Sequence, residues 1–498
     1  MFAADSGRIK EAVIEILILQ DGSCRNLTSD KVACTKVNRK DSSDRIVSVK
    51  WVNWRTGLVI GVIAICAMTQ IPGTGTPEIH NANAPFNFVL VDPRPTVNDW
   101  PWWQGTDHRN LANTQNFPTQ WSPSDHEGWQ VPIPGYGNAS PCLWGHQLFL
   151  PVFDAEAQRL VLLSIQRETG RIAWRTTIHE GRLSKSNDKS STASSSPACD
   201  GQNVFTVSSN QGKLYVTAVE MTGRVAWQRE VGPYQSNEVY RSSPVLFKSL
   251  VIVSADQPHG SYLAAVHRQT GELIWRIKRP NGTSFGTPIV ATISERPQLV
   301  LGGAGAVTSY DPFTGKVIWK CATSAERVAN TIAFDTDHVF ATYLRPNPEV
   351  ICITASGHGD VTKSHLAWRL PKIGSERPSP IYFDGMLFIL ADDGRLSCIQ
   401  PTTGKIEWTR QLEGTFTASP LIAGPFLFCA NEAGTTYFVR TGGASASVTT
   451  NTLLDGIVAN PIVAGDSIFI RTIGRLHRVV ASDPQPVVER PIDAKRRF

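Results

Sequence analysis

Alternating apolar and polar residues dominate the chain after residue 98. The apolar run Leu160–Ile165 is followed by Thr169-Gly170 and then by the alternating segment Arg171–Arg175. Two extended runs joined through a glycine-bearing loop predict a β-hairpin, because glycine readily adopts the positive φ that such loops often need. Ile172 and Trp174 lie two residues apart, so both side chains occupy one face of the second strand.

This hairpin is one copy of a repeat. The pattern Thr-Gly-x-x-x-Trp occurs five times, beginning at Thr169, Thr222, Thr270, Thr314 and Thr403. The tryptophans of these copies, together with Trp368, follow one another at intervals of 53, 48, 44, 49 and 40 residues. Periods of about 40–50 residues are typical of four-stranded blades or of paired helices. The alternation within each copy favours strands.

A second marker begins each unit: a Ser, Thr or Asn followed by Pro and apolar residues. It occurs with Pro141, Pro197, Pro244, Pro288, Pro380, Pro420 and Pro461. Proline can open a strand but is excluded from the interior of a central one, so the marker predicts where each innermost strand begins. Pro288 and Pro380 are 92 residues apart, and a unit without proline fits between them at Asn330–Phe334. The number of units is therefore eight.

The two ends of the repeat region complement each other. The last unit has room for strands at Ile462–Val463, Ser467–Arg471 and Arg475–Val480 but has no tryptophan strand, and a matching segment, Trp129–Ile133, precedes the first marker. A ring whose last sheet is completed by an N-terminal strand avoids the free edges of an open array. We predict an all-β fold over residues 99–482. It is one eight-bladed β-propeller of four-stranded antiparallel blades, with the last blade closed by an N-terminal strand.

The repeat resembles that of a known family. Its fullest copy, Asp311-Pro-Phe-Thr-Gly-Lys-Val-Ile-Trp319, is similar to the tryptophan-docking repeat of the pyrroloquinoline-quinone (PQQ)-like propellers. Trp100-Pro-Trp-Trp-Gln-Gly105 resembles the lead-in found before such propellers in secreted bacterial proteins, with Gln104 where Arg is usual. The family includes quinoprotein alcohol dehydrogenases and non-enzymatic members, such as the propeller lipoprotein of the outer-membrane β-barrel assembly machinery. This chain resembles the non-enzymatic branch.

We assign a structural role to the repeat residues, since a tryptophan that recurs in most blades suits packing between sheets rather than one ligand site. They are Trp129, Trp174, Trp227, Trp275, Trp319, Trp368 and Trp408, with Gly170, Gly223, Gly271, Gly315 and Gly404. Two units depart from the pattern. Trp368 lacks the Thr-Gly turn, and the unit from Pro420 has Thr441-Gly-Gly but no tryptophan.

The resemblance also implies what a dehydrogenase of this family needs. Such an enzyme carries a carboxylate base and a calcium ion at the propeller axis, and an adjacent Cys-Cys pair against the quinone. No two of the nine cysteines are adjacent, and no Glu/Asn/Asp calcium set is recognisable. We therefore assign no catalytic, cofactor-binding or metal-binding residue. PQQ and calcium are cofactors only under the alternative hypothesis of an enzyme.

Other candidate motifs have structural explanations. Asp335-Thr-Asp337 and Asp392-Asp393-Gly394 lack the spacing of a complete calcium loop, and Asp-Gly between apolar runs is typical of a hairpin turn. Gly302-Gly-Ala-Gly305 is not followed by the Lys-Ser/Thr of a phosphate loop. The serine-rich segment 184–196 lacks a nucleophile elbow and is predicted to be an inter-blade loop. We expect His259, His338, His358 and His365 at surface or loop positions. Cys398 and Cys429 lie in apolar runs and are expected to be small core residues.

The N-terminal 98 residues are different in character. Gly57–Met68 is uncharged and apolar and follows Arg45, Lys50 and Arg55. At about 12–15 residues the run matches a signal-peptide core better than a membrane span of about 20, so residues 57–71 predict export, with cleavage after Ala67. The alternatives are an uncleaved single membrane anchor and a lipid-modified Cys66. Residues 1–56 are predicted to be a poorly ordered extension, with the true translation start further along, and residues 72–98 a linker.

Two functions remain. The net charge of +5 is too small to indicate nucleic acid, and Lys495-Arg-Arg belongs to a C-terminal tail, residues 483–498. The preferred hypothesis is an exported, non-catalytic scaffold that binds a protein or peptide partner in the cell envelope. It would be periplasmic or membrane-anchored, with the propeller outside the cytoplasm. The alternative is a PQQ-dependent alcohol or sugar dehydrogenase.

Overall fold

The computed structural model describes residues 50–51, 59–60, 93–112, 114, 116–122, 127–181, 183, 191–443 and 447–481. Two units are distinguished, residues 1–74 and 75–498. In the first unit, Lys50–Trp51 pairs antiparallel with Val59–Ile60. Apart from these four residues, the predicted extension 1–56 and export segment 57–71 lie outside the described residues, as do residues 72–92 and the tail 483–498. Within the described part of the chain, no helix has the length and apolar character needed to cross a bilayer.

The second unit is an eight-bladed β-propeller, which confirms the predicted fold. Each blade has four antiparallel strands, and two blades gain a fifth. The strands of blades 1 and 2 are Cys142–Trp144, Gln147–Asp154, Arg159–Gln166 and Ile172–Glu180, then Ala198–Cys199, Asn203–Asn210, Lys213–Glu220 and Val225–Pro233. Those of blades 3 and 4 are Val245–Phe247, Leu250–Ala255, Tyr262–His267 and Leu273–Lys278, then Ile289–Ile293, Arg296–Gly303, Ala306–Tyr310 and Val317–Ala322.

The remaining blades follow the same order. The strands of blades 5 and 6 are Ala333–Phe334, His338–Tyr343, Glu349–Thr354 and Leu366–Pro371, then Ile381–Phe383, Met386–Leu390, Arg395–Ile399 and Ile406–Gln411. Those of blades 7 and 8 are Leu421–Ala423, Phe426–Ala430, Thr435–Arg440 and Val448–Thr452, then Ile462–Ala464, Ser467–Arg471, Arg475–Val480 and Glu127–Pro132. The marker prolines immediately precede the first strands of seven blades, and the predicted proline-free unit is blade 5.

Blade 8 is completed from the other end of the chain, as predicted. Glu127–Pro132 pairs antiparallel with Arg475–Val480, with Trp129 opposite Arg478. The Trp129 ring packs on Phe469 of the second strand, with 6.1 Å between ring centroids. The ring of sheets is therefore closed by hydrogen bonds between residues more than 340 positions apart.

Two additional short strands extend existing blades. Leu111–Ala112 pairs in parallel with Leu421–Ala423, the first strand of blade 7. Gly359–Asp360 pairs in parallel with Val317–Ala322, the fourth strand of blade 4.

The turns of the blades divide between two faces of the ring, because neighbouring antiparallel strands run in opposite directions. One face carries the turns between first and second strands and between third and fourth strands. It includes every Thr-Gly turn, and we call it the Thr-Gly face. The opposite face carries the turns between second and third strands and the connections between blades, and we call it the loop face.

The hydrophobic core lies between the blades. Phe205 and Val207 of blade 2 pack against Val251 and Val253 of blade 3. The alternate residue Val204 packs towards blade 1. Because both faces of a blade are covered by neighbours, the second and third strands are apolar along most of their length.

Residues that precede the first strands link the blades around the axis. The backbone N–H of Ser140 donates to Ser196 Oγ (2.9 Å), and that of Ser196 donates to Ser243 Oγ (3.1 Å). In five more pairs the backbone N–H of the first residue donates to the side-chain oxygen of the second, at 2.8–3.0 Å. These pairs are Ser243 and Thr287, Thr331 and Ser379, Ser379 and Ser419, Ser419 and Asn460, and Asn460 and Ser140. Each side-chain oxygen satisfies a backbone donor that is buried away from water. This explains why Ser, Thr or Asn precedes the marker prolines.

Candidate functional site

The axis of the ring is filled by residues 99–112, which we call the axial plug. The plug begins at the Thr-Gly face of blade 1, where Asp99 Oδ1 accepts a hydrogen bond from Gly145 N (2.7 Å). Trp100 and Leu143 then exchange backbone hydrogen bonds of 2.9 and 2.8 Å. The plug is thus attached to the innermost strand of blade 1 as an additional bridge partner.

The plug also reaches the opposite side of the ring. Trp103 Nε1 donates to Thr331 Oγ1 of blade 5 (2.8 Å). Ile422 N of blade 7 donates to Asn110 O (2.9 Å), where the plug joins that blade as a parallel strand. The plug therefore forms hydrogen bonds to blades 1, 5 and 7, which are far apart in sequence.

The plug packs closely against the inner strands. Trp100 is 4% exposed, Trp102 7% and Asn110 1%. A cavity of about 10 Å³ remains between the plug, Ser140 and Asn460, which is at the lower limit for one water molecule. Three plug residues other than glycine have positive φ: Gln104 at 63°, His108 at 59° and Asn110 at 58°. Such conformations cost free energy and persist only where the surrounding structure holds them.

This packing tests whether the axis fits the quinone that enzymes of the resembled family carry. The cavity between the axial plug, Ser140 and Asn460 is far smaller than a planar tricyclic quinone. Among the described residues, no group of three or more His, Cys, Asp or Glu side chains is placed to hold a metal ion. A quinone does not fit the space that the plug leaves beside the inner strands, and no chemical step is derived through that cofactor.

The repeated tryptophans lie on fourth strands, and five of them reach the Thr-Gly turn of the next blade. Trp174 Nε1 donates to Met221 O (3.0 Å), and Trp227 Nε1 donates to Arg268 O (3.2 Å). Each ring covers the glycine of the next Thr-Gly turn so closely that a Cβ on Gly223 would lie 2.9 Å from Trp174, and one on Gly271 2.6 Å from Trp227. The same contact joins Trp129 to Gly170, Trp275 to Gly315 and Trp368 to Gly404. All five glycines have φ between 68° and 93°.

The contact between a tryptophan and the glycine of the next Thr-Gly turn accounts for the units that depart from the repeat. Trp319 faces blade 5, which lacks a Thr-Gly turn. The added strand Gly359–Asp360 pairs with the strand of Trp319, and the buried indole donates to Gln298 Oε1 of its own blade (2.7 Å). Blade 7 has no tryptophan because the third and fourth strands of blade 8 come from opposite ends of the chain. No turn joins those strands, so a tryptophan would have no glycine to dock on.

Trp408 is the other exception. Among the described atoms, a Cβ on Gly442 of blade 7 would meet nothing within 4 Å. Trp408 keeps the contact with its own blade, packing on Phe388 at 6.0 Å between ring centroids, as Trp129 packs on Phe469. The structural role assigned to the repeat residues stays a prediction that stability measurements can test.

On the loop face, ion pairs link the connections of blades 2 to 6. Glu238, in the connection after blade 2, pairs with Arg241 at 3.1 Å and with Arg327 at 3.0 Å. Arg327 follows blade 4 and also pairs with Glu376, which follows blade 5, at 3.2 Å. Arg345, in a turn of blade 5, pairs with Glu376 at 3.3 Å and is 65% exposed. We call these five residues the loop-face network.

Two further features define the surroundings of the network. The Phe285 ring lies between two guanidinium groups, with Arg241 at 4.4 Å and Arg327 at 5.1 Å from its centroid. Burial lowers the pKa of Arg241, while Glu238 raises it. Exposed ion pairs contribute only about 0–1 kcal/mol each to stability. The partly exposed arginines therefore retain donors that can bind carboxylates or carbonyl groups of a partner.

A recess lies beside the network. It has a volume of about 260 Å³ and is lined by Ser209–Gly212 and Tyr234–Glu238. This is smaller than the roughly 300–1,000 Å³ of small-molecule sites and matches one or two side chains of a peptide. Burial raises the pKa of Tyr234 to about 12, so its phenol stays neutral and can donate. In this part of the structure the buried Oδ1 atom of Asn210 has no hydrogen-bond partner.

The other sequence candidates have local roles. Asp335 accepts hydrogen bonds from the backbone N–H groups of Asp337 and His338, which forms the turn between two strands. Asp392 lies in a turn of blade 6 and accepts from Glu376 N (2.8 Å), beside the loop-face network. His358 contacts Arg296 at an exposed position. The described cysteines, Cys142, Cys199, Cys321, Cys352, Cys398 and Cys429, are buried and unbridged.

Sequence reasoning missed the loop-face network. A signal was available, because Arg241 and Arg377 each lie two residues before the side chain that links the blades, Ser243 or Ser379. An arginine at the same distance before two of the repeated markers indicates that both arginines lie on the same face of the ring. Only the folded ring shows that these positions meet.

Comparison with known proteins gives consistent results. A family model described as outer membrane protein assembly factor BamB matches residues 123–291 and 359–497. The outer membrane protein assembly factor BamB of Yersinia pestis is 23% identical over 332 residues, which cover 64% of this chain and 79% of that protein. The crystal structure of BamB from Moraxella catarrhalis has a TM-score of 0.52 at 14% identity, covering 71% of this chain and 98% of that one.

An enzyme structure is similar to the same degree. Quinohemoprotein alcohol dehydrogenase from Comamonas testosteroni has a TM-score of 0.55 at 13% identity, covering 78% of this chain and 81% of that one. At this identity the likeness concerns the fold alone.

The eight blades and the docked tryptophans define a PQQ-like repeat propeller. Within that class, the family model matches more than half of the sequence. The chain belongs to the family of the outer membrane protein assembly factor BamB.

Proposed function

We propose that this chain is an exported, non-catalytic propeller that binds a protein or peptide partner in the cell envelope and takes part in the assembly of outer membrane proteins. Membership of the family supports the assembly role. The loop-face network supports the mode of binding, because it presents arginine donors, carboxylate acceptors and a recess of side-chain size on one surface. This surface is the observation that carries the proposal.

The proposed partner segment is a peptide that carries carboxylate side chains. The loop face has four arginines that form ion pairs with the carboxylates of Glu238, Glu376 and Asp392. They are Arg241, Arg327, Arg345 and Arg377. The planar guanidinium groups of these arginines suit bidentate recognition of carboxylates, which favours an acidic segment. An adjoining side chain of the segment would enter the recess at Tyr234.

Complementation in the organism that encodes the chain tests this proposal. Deletion of the gene should lower the amount of folded β-barrel protein in the outer membrane, measured by heat-modifiable electrophoretic mobility. The wild-type chain should restore it. The double variant Glu238→Gln with Arg345→Gln should restore it poorly, while Arg224→Gln with Lys405→Gln, at exposed positions of the Thr-Gly face, should restore it fully. Full restoration by the first pair would contradict binding through the loop face.

Export and the absence of catalysis need separate measurements. Fusion of residues 1–98 to alkaline phosphatase should give activity that depends on export. The purified chain, incubated with PQQ and calcium and then desalted, should retain no quinone absorbance and should not reduce a dye with alcohols or sugars. Retained quinone with dye reduction would make the dehydrogenase hypothesis the correct one.

A further inference from the structure

Arg471 is a buried arginine without a counter-charge. It is the last residue of the second strand of blade 8, at the loop face, and is 1% exposed. Arg471 lies two residues after Phe469 and therefore on the same face of the strand, the face that packs against blade 1. No carboxylate of the described residues forms an ion pair with it, and burial alone lowers the pKa of its guanidinium to about 9.

Only half of the guanidinium is hydrogen-bonded. Nη1 donates to Ala139 O (2.9 Å) and to Pro151 O (3.2 Å), both in or next to blade 1. Among the described atoms, Nε and Nη2 are buried and have no partner. These two nitrogens form one edge of the planar group, and this is the edge that binds a carboxylate or another oxyanion through two parallel hydrogen bonds.

Gly137 and Ala193 lie close beside Nη2. A Cβ at position 137 would collide with the guanidinium and come within 2.9 Å of Ala193 O, so only glycine fits beside this nitrogen. The carbonyls of Ala139 and Pro151 accept from Nη1, and that of Ala193 accepts from the backbone N–H groups of Asn138 and Ala139. A charged group that is desolvated and only half satisfied is strongly unfavourable, and a methionine of similar size would fill the same space without that penalty.

From this geometry we infer that the free Nε/Nη2 edge of Arg471 is the anchor of an oxyanion-binding site at the junction of blades 8, 1 and 2. The ligand is a small carboxylate or a phosphate-type anion held bidentately, which supplies the missing counter-charge and hydrogen bonds. Because both nitrogens are buried, entry of the anion requires local opening of the loop face. The site is separate from the loop-face network and does not depend on the proposed scaffold function.

Anion-dependent stability of the full chain tests the inference. Thermal unfolding is followed in acetate, in inorganic phosphate and in chloride at equal ionic strength. A ligand that binds only the folded state raises the midpoint with saturable concentration dependence. For the wild type we expect such a rise with acetate or phosphate above that in chloride. A rise of the midpoint with acetate but not with phosphate would identify a carboxylate ligand. A rise with phosphate but not with acetate would identify a tetrahedral oxyanion.

Variants separate a ligand site from a purely structural arginine. Arg471→Met should abolish the saturable response, and Arg471→Lys should weaken apparent affinity at least tenfold because lysine lacks the planar fork. Arg175→Met, at an exposed position, serves as the matched control and should leave the response unchanged. An equal response in Arg471→Met and wild type, or none in the wild type, would overturn the inference.

A measurement on the unmodified chain covers the case in which Arg471→Met does not fold. In protein labelled with ¹⁵N-arginine, a slowly exchanging Nε–H resonance should shift on addition of acetate or phosphate and not on addition of chloride. Resonances that all remain in place would exclude the site.

Discussion

Docking of tryptophan on glycine predicts a specific pattern of stability changes. In Gly271→Ala, the new methyl group would lie 2.6 Å from Trp227 Cε3, closer than real Cβ contacts, and the backbone would keep φ near 70°. The left-handed conformation costs about 1–2 kcal/mol for alanine. Displacing the indole adds about 1–3 kcal/mol of overpacking strain. The total expected loss of unfolding free energy is about 2–5 kcal/mol, the sum of these two effects.

A matched variant separates the cost of the steric clash from the cost of the left-handed backbone conformation. Gly385 has φ of 75°, and a Cβ there would meet no described atom within 4 Å. Gly385→Ala should therefore cost only the conformational part, about 1–2 kcal/mol. Both variants are measured by urea denaturation with circular dichroism, and the midpoints are compared at an unchanged slope.

A double-mutant cycle completes the test. In the background Trp227→Ala the clash is absent, so Gly271→Ala should cost no more than Gly385→Ala. The docking account would be refuted by a Gly271→Ala cost equal to that of Gly385→Ala, or by a cost that persists in the Trp227→Ala background.

Three further outcomes are expected. Burial lowers the pKa of His108 from 6.5 to about 4, so the unfolded chain binds more protons between these pH values. His108 should then contribute a fall of about 3 kcal/mol in the unfolding free energy as pH drops through that window, and His108→Asn should remove this part of the slope. Ser243→Ala leaves the N–H of Ser196 unpaired and should cost about 1–3 kcal/mol in urea denaturation, whereas Ser243→Thr should cost less. Trp103→Phe removes the bond to Thr331 and should lower the thermal midpoint, and an unchanged midpoint would argue against a tight plug.

Periodicity explains what the sequence could predict. Blade number, the opening prolines and the closing strand at Trp129 all follow from patterns that recur at a fixed spacing. The axial plug could not be found this way, because its contacts occur once and join residues 228 positions apart, as between Trp103 and Thr331. The Trp-Pro-Trp-Trp motif identified the segment but not its position at the axis.

The loop-face network and Arg471 illustrate a second limit. Charged residues in connections lack the alternation of strands, so sequence alone does not show that Glu238 and Arg327 meet. Arg471 was detectable in principle, because it occupies an inward position of an otherwise apolar strand. What alternation cannot reveal is whether a carboxylate of the chain lies opposite it.

Site-specific photo-crosslinking tests the central claim, that the chain binds its partner through the loop face. A photoreactive amino acid is placed at Arg345, which is 65% exposed on the loop face, or at Lys405, which is 70% exposed on the Thr-Gly face. In cells that normally carry the chain, irradiation should give a discrete protein adduct from position 345 and none from position 405. Adducts only from position 405, or equal adducts from both, would contradict the account.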